Sequence, residues 1–299
     1  VFFEDYEARF AKFTRVTCPT GIPQLDKKDV LNGGLARGEI GVITAPTGVG
    51  KSHWLVNVGA AAIKAGKNVV HYTFELTETA VGVRYDSNLC DIPSSEVQDR
   101  KEEVLSLYKD SNFGKLIIKE YPTGSASVVT LRNHLEKLAM KDFIPGLIII
   151  DYADIMRSTR SYDSLRHELK LIYEELRNLA MEMQLPVWTA SQANREASEK
   201  EVVGLDNMAE AYGKAMVADV VISLSRKQLE KATGAGRLFV AKNRAGKDGI
   251  LFPVRIDCSK SKITVIDDPS ELSAIEMLQS KNTDTKDMLK SKWKEITGK

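Results

Sequence analysis

Apolar and polar positions alternate along the chain in two rhythms. Short, mostly apolar runs occur at Ile40-Gly41-Val42-Ile43-Thr44, Asn68-Val69-Val70-His71-Tyr72-Thr73-Phe74, Lys115-Leu116-Ile117-Ile118-Lys119, Leu147-Ile148-Ile149-Ile150-Asp151, Pro186-Val187-Trp188-Thr189-Ala190-Ser191 and Asp219-Val220-Val221-Ile222-Ser223-Leu224. Such runs predict strands, and 147–151, apolar up to its terminal Asp, predicts one covered on both faces as in a parallel sheet. Between them, helices are predicted at 54–62, 77–89, 94–108 and 128–140. A longer one carries Leu165, Leu169, Ile172, Leu176, Leu179 and Met183 as a single stripe. Strands alternating with helices imply right-handed crossovers and an α/β fold: a mostly parallel central sheet flanked by helices. Residues 238–242 and 251–256 predict a C-terminal β-hairpin around 243–249, and 262–266 a closing strand. The stretch 194–214 is polar and reads as irregular.

The ends read differently. Phe3, Tyr6, Phe10 and Phe13 recur at helical spacing, so 2–13 is predicted to be a helix that packs either on its own domain or on a neighbouring subunit. The chain thus divides into a linker helix (1–18), one α/β unit (19–267) and a charged tail (268–299), with a short helix expected at 288–296. Residue 1 is Val, so the chain is expected to be a fragment or processed product whose preceding domain is missing.

Composition narrows the picture only slightly. The 299 residues are 43% hydrophobic with net charge +1, which supplies a core but no global basic field. That weighs against coating duplex nucleic acid, but not against loops that grip one strand inside a channel. Cys18, Cys90 and Cys258 lack paired spacing, which suggests free thiols in a reducing compartment. No run reaches membrane-spanning length and no signal peptide is visible, so a cytoplasmic location and no membrane partner are expected.

The chemistry concentrates after the first strand, in Ala45-Pro46-Thr47-Gly48-Val49-Gly50-Lys51-Ser52-His53. A strand, a glycine loop, Gly-Lys-Ser and a helix form a phosphate-binding P-loop, in which backbone N–H groups and the helix N-terminus face the phosphates. Lys51 reaches the β/γ phosphates, and Ser52 can hold Mg²⁺. Ala45 replaces the usual first glycine and should sit at ordinary φ. Active residues should gather at the carboxyl ends of the strands. Asp151 there is the natural partner of Mg²⁺ through water. Glu75 can polarise the attacking water, with Glu78 as its rival. Gln192 can touch the γ-phosphate and report its loss. The expected cofactors are therefore ATP, or another NTP, and Mg²⁺.

Several motifs occur in order: Asp151-Tyr152-Ala153-Asp154-Ile155-Met156, Ser191-Gln192-Ala193-Asn194-Arg195, Ala218-Asp219-Val220-Val221 and Ala241-Lys242-Asn243-Arg244-Ala245-Gly246. Over 2–266 the set resembles the RecA-like ATPase domain of DnaB-type replicative helicases. Residues 3–9, 114–124 and 143–145 are similar to the helicases of T-even-type phages. The resemblance implies a homo-oligomeric ring, a hexamer, that hydrolyses NTP and draws single-stranded DNA through its centre in the 5′ to 3′ direction. It implies nucleotide sites between subunits, with Lys242 and Arg244 entering the neighbour's site and Arg244 as arginine finger. It also implies strand-gripping loops at 157–166 and 195–214, with primase and a helicase loader as further partners in a bacterial or phage-infected cell. The family's arginine before the glutamate of the second loop is Ala209 here, which leaves Tyr212 and Lys214 as substitutes. A finger from a neighbour also fits the phosphate loop itself, which supplies one lysine and no nearby arginine. A RecA- or RadA-like recombination ATPase and a KaiC-like protein-remodelling ATPase share the sheet and the loop and stand as alternatives.

Overall fold

The computed structural model describes residues 15–194, 196–197, 200–208, 211–268 and 270. The helices expected at 2–13 and 288–296 lie outside them. β1 (Thr17–Cys18) and β2 (Leu35–Ala36) form a small antiparallel pair. β3 (Ile40–Ala45) is buried throughout and leads into α1 (Lys51–Lys64). β4 (Val69–Thr73) follows, then α2 (Glu78–Cys90), where the Thr77 hydroxyl accepts from Ala80 N at 3.2 Å as the N-cap.

The helix expected over 94–108 starts late, as α3 (Lys101–Asp110). Residues 94–100 form turns instead, because Ser94 N donates to Ser259 O at 2.8 Å and Val97 is buried. These tertiary contacts override the local helical period.

β5 (Leu116–Glu120), α4 (Val128–Ala139), β6 (Leu147–Asp151) and α5 (Leu165–Met183) come next. The stripe predicted on α5 is buried at Leu169, Ile172, Leu176 and Leu179, but Leu165 is 64% exposed, so the first turn projects beyond the core. After β7 (Val187–Gln192), the stretch expected to be irregular ends in a short helix, α6 (Ala211–Val217). β8 (Val220–Ser225), β9 (Ala235–Asn243), β10 (Leu251–Asp257) and β11 (Lys262–Val265) complete the chain.

The main sheet runs β11-β10-β9-β8-β3-β7-β6-β4-β5. From β8 to β5 every pairing is parallel, and the predicted hairpin and closing strand add antiparallel pairings at the other edge. The expected α/β architecture is therefore present. One apolar layer packs α1 and α2 on the sheet, and a second packs α4, α5 and α6 on the opposite face. Neighbouring strands place Gly41 of β3 beside Trp188 of β7, and Trp188 meets Trp54 of α1 edge to face, with centroids 5.9 Å apart.

A Cβ at Gly41 would come within 2.6 Å of the Trp188 ring. Gly41→Ala should therefore lower stability by about 1–3 kcal/mol through overpacking. Thermal unfolding checks this, and an unchanged midpoint would mean that the two tryptophans can yield.

Candidate nucleotide site

The loop 45–50 turns the chain from β3 into α1. Ala45 keeps ordinary φ, whereas Gly48 (φ 73°) and Gly50 (φ 131°) occupy backbone space that other residues rarely adopt. A Cβ at Gly48 would meet nothing within 4 Å, so the loop opens to solvent there. Gly50 caps α1 without a side-chain bond, and the first turn of α1 holds no acidic residue. Its free N–H groups and partial positive charge therefore suit an anion. The Lys51 ammonium donates to the Ala45 carbonyl at 3.2 Å. Burial lowers its pKa, opposed by the carboxylates of Asp151, Glu75 and Asp154. His53, in the first turn of α1, turns its ring to Ser261 at 2.9 Å, and burial lowers its pKa to about 4, helped by Arg84 and Arg226.

Asp151 ends β6 almost fully buried, and neither carboxylate oxygen has a hydrogen-bond partner in ideal geometry. Burial raises its pKa to about 6, although the nearby Ser52 hydroxyl, Arg84 and Lys51 pull the other way. Arg84 is a residue that the sequence argument missed. It lies on α2, and its charge acts on Asp151, His53 and His71. The phosphate loop itself carries one lysine and no arginine, and Arg84 of α2 adds a positive charge that acts on Asp151 and His53. The signal lay in helical spacing: Val81 and Tyr85 face the core, and Arg84 is one turn from Val81 on the same flank.

The two candidate bases differ in their surroundings. Glu78 begins α2 and is tied to the end of β5, accepting from Glu120 N at 3.0 Å and pairing with Lys119 at 3.6 Å. Glu75 is exposed just beyond β4, and its charge reaches Lys51.

Gln192 ends β7, and its amide donates to the Thr47 hydroxyl of the loop at 2.9 Å. Asp154 holds this corner. It accepts from Tyr173 Oη at 2.8 Å, Ser191 Oγ at 3.0 Å and Gln192 N at 3.2 Å. It also pairs with Lys214 at 2.8 Å. Lys214 is 1% exposed, so it is an internal counter-ion and not a surface contact for a nucleic acid strand.

Lys242 and Arg244 stand apart from this group. Lys242 Nζ donates to the carbonyls of Ala215 (2.7 Å) and Met216 (3.2 Å). Arg244 donates to Met216 O at 2.6 Å and pairs with Asp219 at 3.2 Å, and Arg177 pairs with the same carboxylate at 2.9 Å. Three cations thus close the C-terminus of α6, where the helix dipole favours them. Asp219 in turn accepts from Ile40 N at 3.0 Å, at the first residue of β3. Lys51 lies beyond the last residue of β3. At about 3.3 Å per residue, the strand separates these two ends by roughly 17 Å.

Of the expected strand-gripping segments, 157–166 carries exposed Arg157, Arg160, Tyr162 and Arg166, whereas 195–214 is described only in part. Among the described residues no group of three or more His, Cys, Asp or Glu could hold a metal, and no helix could cross a membrane.

The family model described as the DnaB-like helicase C-terminal domain matches residues 17–257. A DnaB-like replicative helicase of Enterobacteria phage T4 is 32% identical over 238 residues, covering 74% of this chain and 49% of that protein. The replicative DNA helicase DnaB of Leifsonia xyli is 27% identical over 241 residues, covering 76% of this chain and 51% of that protein. The chain therefore spans about half the length of these curated relatives. The fold matches a solved structure described as an ATPase domain, with a TM-score of 0.73, 16% identity, and 89% and 97% of the two chains covered. It also matches a DnaB-like replicative helicase studied with primase, with a TM-score of 0.72, 16% identity, and 89% and 65% covered. With the family match spanning most of its length, the chain belongs to the DnaB-like helicase C-terminal domain family.

Proposed function

We propose that this chain is the ATP-hydrolysing motor of a replicative ring helicase, which moves on single-stranded DNA and separates duplex DNA. One observation carries the reading. The phosphate loop, Lys51, Asp151 and Gln192 converge at the carboxyl end of β3, while Arg244 is held at its amino end. Held there by Met216 and Asp219, Arg244 stands away from its own loop, and in this reading a second copy places its hairpin against that loop. A closed ring of such head-to-tail contacts, a hexamer in this reading, completes every site. Residues 19–267 form the motor, 1–18 a linker and 268–299 a tail. A primase partner fits the description of one structural neighbour, and a phage-infected cell fits the source of one relative; a loader and a cytoplasmic site belong to the same reading. These relatives do not favour a recombination or protein-remodelling role.

In this mechanism residues 45–53 cradle the triphosphate, and Lys51 neutralises the β/γ oxygens. The orphaned carboxylate of Asp151, with Ser52 beside it, suits Mg²⁺, which takes one or two protein ligands and completes its shell from phosphate and water. When bound, the ion would supply charge neutralisation on the phosphates. Glu75 takes the proton from the water that attacks the γ-phosphorus, while Gln192 senses the γ-phosphate. Lys242 and Arg244 of the neighbouring copy stabilise the charge that develops there.

Hydrolysis of ATP with and without a single-stranded oligonucleotide tests the reading; absence of stimulation would point to a different ATPase. Glu75→Gln should bind nucleotide and lose turnover by about 10²–10⁴-fold. Glu78→Gln should stay near wild type, and the reverse result would exchange their roles.

Asp151 yields a pH prediction. Its ordinary value of 3.8 rises to about 6 on folding, so between these values the folded chain holds a proton that the unfolded chain releases. Stability is fully present below the lower value and is lost as pH rises through the higher one, by about 3 kcal/mol in total. Without divalent cations, Asp151→Asn should melt above wild type at neutral pH and converge with it in acid, while losing hydrolysis.

The finger assignment predicts complementation. Arg244→Ala and Lys51→Ala should each be inactive alone, and mixing them should restore activity at interfaces that join an intact loop to an intact hairpin. An ATPase titration of mixed subunits reads this, and no recovery in exchanging oligomers would overturn the assignment of Arg244 as a finger offered to a neighbour.

A further inference from the structure

The two ends of the sheet are joined by α6. Near its middle, Lys214 is buried against the carboxyl-end corner: its ammonium lies 2.8 Å from Asp154 Oδ1, 3.2 Å from Ser191 Oγ and 5.6 Å from the centre of the Tyr173 ring. The other oxygen of Asp154 holds the backbone N–H of Gln192, whose side chain reaches Thr47. Within the next three residues, the carbonyls of Ala215, Met216 and Val217 take Lys242, Arg244 and Arg177 at the amino end. α5 lies alongside as a rail. Its Tyr173 bonds Asp154 and its Arg177 pairs with Asp219, one helical turn apart. α6 is pressed close to α5, since a Cβ at Gly213 would sit 3.1 Å from Lys170 carbons.

We propose that Lys214 is a positioning residue that makes α6 a strut, coupling Gln192 at the chain's own nucleotide site to Lys242 and Arg244 at the far end of the sheet. The proposal rests on the reading of 45–53 as a nucleotide site and adds to it a route by which one site governs the hairpin offered to the next. A ligand group that draws the Gln192 amide away from Thr47 pulls on the β7 end that Asp154 holds. Lys214 passes that displacement to α6, and the C-terminal carbonyls of α6 change their grip on the two hairpin cations. Coupling of this kind needs a contiguous element that both sites bias. α6 is contiguous with both, and its own backbone supplies the acceptors.

The test is amide hydrogen exchange of the whole chain with and without the non-hydrolysable analogue AMP-PNP and Mg²⁺, beside a direct measurement of AMP-PNP affinity. In wild type, the analogue should change exchange at 215–217 and 243–246 as well as at the phosphate loop. In Lys214→Met, the affinity should stay within about threefold, as for a residue outside the binding contacts, while the response at 215–217 and 243–246 disappears. Because Lys214→Met leaves Asp154 buried without its counter-ion, Asp154→Asn/Lys214→Met provides a second variant that carries no unpaired charge. It should melt near wild type and still lack the distant response. A merely structural pair predicts instead that the double variant recovers the response together with stability, and that result overturns the proposal. So does a wild-type chain that binds AMP-PNP with no change at 215–217 and 243–246. A wild-type chain that binds no AMP-PNP overturns the nucleotide-site reading itself, and the strut with it.

Discussion

The placement of β3 between β7 and β8 is the constraint on which the other features depend. Its parallel register with both neighbours brings Ala45 level with Gln192 and Ile40 beside Asp219. One strand therefore carries phosphate chemistry at its carboxyl end and an ionic hub at its amino end. Parallel strands point all their carboxyl ends one way, so Glu75, Asp151 and Gln192 gather with Lys51 without any long-range pairing between them. The same rule sends the hairpin to the opposite edge, because β9 returns antiparallel and its last residue, Asn243, lies level with Val220. The separation of Arg244 from the phosphate loop within one chain is thus a consequence of strand direction.

Much of this was legible in the sequence because both-face burial leaves a plain mark. The runs ending in Thr44, Phe74 and Asp151 are mostly apolar, and the strands they became are buried along their length. The phosphate loop was legible because its chemistry is local: the glycines, Lys51 and Ser52 are adjacent in the chain and need no tertiary context to be recognised. Thr77 was legible as a helix start for the same reason.

What was not legible depends on partners far away in the chain. Lys214 closes a stretch, 194–214, that reads as polar and irregular; its burial follows from Asp154 and Tyr173, which arrive from other elements. The turns at 94–100 have a helical pattern, and the Ser259 carbonyl that captures Ser94 comes from beyond β10. Arg84 carries no motif of its own, and its relevance to Asp151 appears only when α2 packs on α1. Leu165 continues a correct stripe one turn past the point where the opposing layer ends. Periodicity reports which face a residue occupies, but not where the surface opposite that face stops.

The two ends of α6 differ in how firmly they are held, and this gives the strut a direction. The Lys214–Asp154 pair is 1% and 11% exposed, and removing one partner of such a pair costs roughly 3–5 kcal/mol because the other charge stays buried. Arg244 is 44% exposed where it meets Asp219, and an ion pair of that exposure is worth about 0–1 kcal/mol. Asp219 also keeps Arg177 and the Ile40 N–H, so it does not become an unpaired buried charge when Arg244 leaves. The hairpin cation can therefore leave its partner at α6 at little cost, while Lys214 stays seated. In the proposed strut, a displacement that begins at Gln192 would pass through the rigid end of the helix and emerge at the end whose contacts are easily exchanged.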